Sequence, residues 1–122
     1  MIIFLGVLNA STARILTYNL LNYEDENNRE DDYVMILDLV EPDLIIAQEI
    51  IGQTGYSHFQ SDVLDVLEPN IWSSAPFTNQ SAQQDIALYY KSDIFTLIGT
   101  SVVYTCRLYT SPSPRDSDPS RM

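Results

Sequence analysis

The chain has one cysteine, one histidine and six cationic residues in 122 positions. Each scarcity excludes something. The lone Cys106 cannot close an intrachain disulfide, so the domain before it is not a disulfide-stapled scaffold. Seventeen acidic residues against six basic ones leave a formal net charge of −11. Before Cys106 the cations are Arg14, Arg29 and Lys91 against fifteen acids, a net charge of −12. Nonspecific duplex binding draws on basic patches that neutralise phosphates, so a grip of that kind is poorly supported. An acidic surface fits a solvated extracellular protein or a salty habitat instead. The longest apolar stretch, residues 2–8, is far short of the roughly 20 residues a membrane-spanning helix needs.

What the chain does have is an apolar run that ends on an acid, Pro42-Asp43-Leu44-Ile45-Ile46-Ala47-Gln48-Glu49-Ile50. Residues 44–47 read as a strand buried on both faces of a parallel or mixed sheet. Active sites on such sheets gather at strand ends, and an acid emerging there is costly to bury unless it is paired or binds a cation. The plainer reading turns Glu49 out to solvent in a loop, Gly52-Gln53-Thr54-Gly55. A second strand-like run, residues 14–23, carries Asn19 near its end. Between the two, residues 30–40 place Tyr33, Ile36, Leu37 and Val40 on one helical stripe. A strand, helix, strand unit makes the strands parallel and usually adjacent, so Asn19 and Glu49 are expected side by side. At 122 residues the chain holds one domain at most.

Residues 1–13 combine an apolar run with small residues at Ser11 and Ala13, which suits a secretory signal clipped of its basic start; a buried first strand is the other reading. Residues 24–32 are a charge run without the glycine and terminal Glu of an EF-hand, hence a solvated loop leading into the first helix, with Asn28 as its N-cap. Ser57-His58-Phe59-Gln60 has capping-box form and predicts a second helix running to about Leu67 before Pro69. His58, in its first turn, reads as a surface or capping residue rather than a catalytic base. Residues 72–84 read as a loop or short strand. Residues 86–90 and 95–104 read as antiparallel strands about a turn at Lys91-Ser92-Asp93, and the tyrosines mostly as packing.

Three of these segments, in order, resemble motifs of the endonuclease/exonuclease/phosphatase superfamily of metal-dependent phosphoesterases. Thr17-Tyr18-Asn19 resembles the first motif, Pro42 through Ile50 the second, and Asp85-Ile86-Ala87-Leu88-Tyr89-Tyr90-Lys91 the core strand that follows. The resemblance implies an α/β fold, the N-terminal half of a four-layer α-β-β-α sandwich whose mixed sheet carries helices on one face. It also implies a secreted or periplasmic, Mg2+-dependent phosphodiesterase or nuclease (Mn2+ or Ca2+ as alternative ions). Glu49 is then the metal ligand, Asn19 contacts the phosphate or nucleophile, and Asp85 is a third catalytic candidate whose plainer reading is an acid in solvent. The expected partner is a phosphoester substrate, nucleic acid among the options, with no membrane span and a monomeric complete protein. Phosphomonoesterase or sphingomyelinase action and a noncatalytic binding module on the same sandwich are the alternatives. The family's catalytic His, Asp/Asn pair and Asp-His pair have no counterpart here. The Ser/Pro-rich run from Cys106 resembles a translated sequencing adapter, so residues 14–105 are expected to be half of the parent domain and inactive alone, with 106–122 a non-native tail.

Overall fold

Alternating apolar side chains build a single mixed sheet. The computed structural model describes residues 12–25, 28–79 and 84–101. The leader assigned to 1–13, apart from Thr12 and Ala13, and the tail assigned to 106–122 lie outside these residues. Strands Ile15–Tyr23 (β1), Leu44–Ile50 (β2), Trp72–Ser74 (β3) and Asp85–Lys91 (β4) lie in the order β1-β2-β4-β3. β1 and β2 pair in parallel, from Ile15 opposite Leu44 to Asn19 opposite Gln48, as a helical crossover requires. β4 runs antiparallel to β2 and β3.

One side of the sheet is the core. Leu20, Tyr23, Ile45, Ala47, Ile50, Ala87 and Tyr89 cluster with Tyr33, Leu37, Phe59, Val63 and Leu64 of the helices. The other side of β2 is only half-covered at Leu44 and Ile46, so this strand is not sealed equally on both faces as its apolar run suggests. Aromatic rings tie the core together. Tyr33 meets Tyr18, Tyr23 and Phe59 edge-on at 5.6–5.7 Å, and Tyr56 stacks between Phe77 and Tyr89. The tyrosine hydroxyls end on oxygen: Tyr33 donates to the Leu20 carbonyl and Tyr89 to the Tyr56 carbonyl, both at 2.8 Å. Packing was the expected role of these rings.

Helix α1, Glu30–Val40, opens with three acids that complement its dipole. Arg29, not Asn28, occupies the cap position and makes no side-chain cap bond. The Glu30 carboxylate serves that end instead, accepting from Arg29 N at 3.2 Å and from the Tyr23 hydroxyl at 2.9 Å. The buried stripe is Tyr33 and Leu37, flanked by Val34; Ile36 is exposed, because the helix turns its 33/37 line to the sheet and leaves 36 on the outer flank.

The second helical segment begins earlier than its capping box suggests. It comprises α2 (Gly52–His58), a π-helical stretch (Phe59–Leu64) and α3 (Asp65–Leu67). Residues 52–55, expected as loop, form its first turn. Tertiary contact overrides the weak helix propensity of two glycines: Gly55 is buried so close to β1 that a Cβ there would sit 2.4 Å from the Tyr23 carbonyl oxygen. Ser57 is inside the helix, accepting from Gln53 Nε2 at 3.1 Å, and Gln60 donates to the Trp72 carbonyl rather than back to a cap. Of the strand expected over 95–104, residues 95–101 form none and residues 102–104 lie outside the described residues. Both edges of β4 are already paired, with β2 and with β3, so a hairpin return has no edge to join.

Candidate functional site

β1 and β2 both become irregular at the same end of the sheet. From Asn19 opposite Gln48 to Tyr23 opposite Ile50, β1 spends four steps against two in β2. Between Ala47 and Ile50, β2 spends three steps against two in β4. These bulges reset the alternation of side chains. Leu20 and Tyr23 both stay in the core while Leu21 and Asn22 are exposed, and Ala47 and Ile50 both stay in the core while Gln48 is exposed and Glu49 half-buried. The backbone shows the cost. Leu21 (φ 55°), Asn22 (φ 55°) and Glu49 (φ 57°) adopt the left-handed region, which is unfavourable by about 1–2 kcal/mol for an ordinary L-residue. Such conformations persist where surrounding structure holds them, often at functional sites.

Asn19 and Glu49 therefore lie on neighbouring strands at the same end of the sheet, Asn19 opposite Gln48 and Glu49 the next residue along β2. The Asn19 side-chain oxygen accepts from Leu21 N at 2.8 Å, which turns the chain and leaves its amide nitrogen without a described partner. No described residue hydrogen-bonds or ion-pairs with the Glu49 carboxylate. A half-buried, unpartnered carboxylate held in a strained backbone suits a hard cation, which takes one or two carboxylates and keeps water as its other ligands.

Asp85 begins β4 opposite Ile50, at this same end. It is 1% exposed and shares the helix-facing side of β4 with Ala87 and Tyr89, so it is not the solvent acid of the plainer reading. Asn22 and Gln84 belong to this end as well. Gln84 Nε2 donates to Asn22 Oδ1 at 2.8 Å, joining the start of β4 to the bulge of β1, on either side of β2. Sequence reading did not find this pair, since neither residue lies in a motif; a signal existed only in Leu21-Asn22, two residues that break the alternation of β1.

His58 lies mid-helix, with Nδ1 2.9 Å from Asp25 Oδ1. This contact was hidden because Asp25 sits in a charge run that reads as solvated. At the opposite end of the sheet a cavity of about 490 Å3 is lined by Arg14, Glu41, Asp43, Glu68 and Lys91. Its cations are already paired: Lys91 with Glu68 at 3.1 Å and Asp43 at 3.7 Å, Arg14 with Glu41 at 3.9 Å. Its lining offers a ligand no unpaired cation and lies away from Asn19 and Glu49. No helix among the described residues is long and apolar enough to cross a membrane. Comparison of the chain with protein-family models, curated proteins and solved structures returns no match.

Proposed function

We propose that the chain carries part of the site of a secreted, metal-dependent phosphoester hydrolase, with Glu49 as a ligand for Mg2+ and Asn19 as the contact to a phosphate oxygen or the attacking water. The observation that supports this reading is the paired bulge, which holds Glu49 in a left-handed backbone, its carboxylate unpartnered among the described residues, at the sheet end that also carries Asn19. A divalent cation held there supplies Lewis-acid polarisation of a phosphoryl oxygen. Glu49 binds and orients; the Asn19 amide donates toward the phosphate. Asp85, buried at the same end of the sheet opposite Ile50, acts as a positioning group rather than touching substrate. A second sheet packing on the uncovered face of this one completes the sandwich and brings the base and its orienter, so the chain alone is inactive.

Mn2+ in place of Mg2+ tests the site in the chain as it stands. In a 15N-labelled sample, paramagnetic broadening should reach the amides of Asn19 and residues 48–50 first, and Glu49→Gln should remove it from them. Equal broadening of these amides in both proteins takes Glu49 out of the site, and with it the main support for a phosphoesterase.

A further inference from the structure

The exit of β1 lies across α2. Ile51 N donates to the Tyr23 carbonyl at 2.8 Å, and Gly55 admits the backbone of Tyr23 and Glu24 where any side chain would collide. This close approach carries Asp25 onto the next helical turn, where His58 and Asp62 stand four residues apart on one face. One ligand atom from each of Asp25, His58 and Asp62 falls within 4.8 Å of the others. The His58 Nδ1 atom is sealed from solvent and, although 2.9 Å from Asp25 Oδ1, lacks the alignment of a hydrogen bond. A ring nitrogen and a carboxylate oxygen this close need a proton or a cation between them, and here a second carboxylate faces the same point.

We propose that Asp25, His58 and Asp62 form a binding site for one borderline divalent transition ion of the Zn2+ class, separate from Glu49. Imidazole nitrogen selects such ions over Mg2+, and carboxylates complete their ligand sets. Ligands at about 2.1 Å in a tetrahedral shell lie roughly 3.4 Å apart, so the three atoms close on an ion through small side-chain rotations, with water in the fourth position. Negative charge is concentrated here without a metal. The Asp25 and Asp62 carboxylates face one point beside the imidazole, and a bound cation offsets their charge. Such a site clips the segment after β1 to the second helix, and it does not depend on the phosphoesterase reading.

The test is a Zn2+ titration of the full chain, read by NMR of the His58 ring nitrogens and by thermal melting. One equivalent should shift the ring signals and raise the Tm. Asp25→Asn and Asp62→Asn, which keep side-chain shape, should each weaken binding at least about tenfold, His58→Ala should abolish it, and Glu49→Gln should leave it unchanged. Circular dichroism of each variant reports that the fold persists. Ring signals that ignore Zn2+, or amide variants that bind as tightly as the parent, overturn the site and leave a plain histidine–aspartate ion pair.

Discussion

Tyr23 and Tyr89 illustrate how far a single residue's chemistry departs from its reading in sequence, where both are simply aromatic positions in strands. Each is fully buried, and burial holds both phenols well above their ordinary range, with Glu30 adding to the effect at Tyr23 and the Tyr56 and Tyr23 charges at Tyr89. The folded-state pKa of each exceeds the unfolded value near 10, so the stability they contribute is complete below pH 10 and is lost above it. There the unfolded chain sheds protons that the native state retains, a loss of about 1.4 kcal/mol per pH unit for each phenol. Urea midpoints should therefore be flat from neutral pH to about pH 9.5 and fall steeply above pH 10, and Tyr23→Phe should flatten the fall. A profile unchanged by that substitution would show that Tyr23 ionises freely. Glu49 was legible in sequence because an acid closing an apolar run is anomalous in itself. Asp25 was not, because one acid among many carries no such contrast.

Elements were legible where period and length agree. β1, α1, β2 and β4 form where their hydrophobic runs place them, since run length and period select the element before its faces are assigned. Errors fell on ends and faces, which neighbours decide. The capping-box form at Ser57 was outweighed by the fit of Gly55 against Tyr23, and the return strand after β4 had no free edge. The face of α1 gives a direct check. Leu37 is fully buried and Ile36 is 37% exposed, so Leu37→Ala should cost about 2–5 kcal/mol, whereas Ile36→Ala should stay within about 0.5 kcal/mol. Chemical denaturation of the two variants settles the helix register, and comparable losses would restore the Ile36 stripe expected from periodicity.

Across the whole molecule the sheet is covered on one side only among the described residues. Its other face presents the rows Ile15–Leu44–Tyr90 and Thr17–Ile46–Leu88, leading to Asn19 and Gln48. Ile15 is 61% and Ile86 55% exposed. An apolar sheet face with β1 as an edge strand among the described residues favours association, against which the net charge of −11 is the opposing force. Ile15→Thr with Ile86→Thr should therefore lower light scattering at high salt, where that repulsion is screened, with little change in the denaturation midpoint. Scattering that does not respond places the association elsewhere. The sequence by itself determined the strand–helix–strand order, the parallel pairing of β1 with β2 and so the placing of Asn19 and Glu49 at one end of the sheet, because hydrophobic period and crossover handedness are local properties of the chain. Only the tertiary structure decided the two bulges, the burial of Asp85, the Gln84–Asn22 bond and the meeting of Asp25 with His58. Each of these depends on which backbone lies against which, and that choice is made by packing between segments distant in sequence.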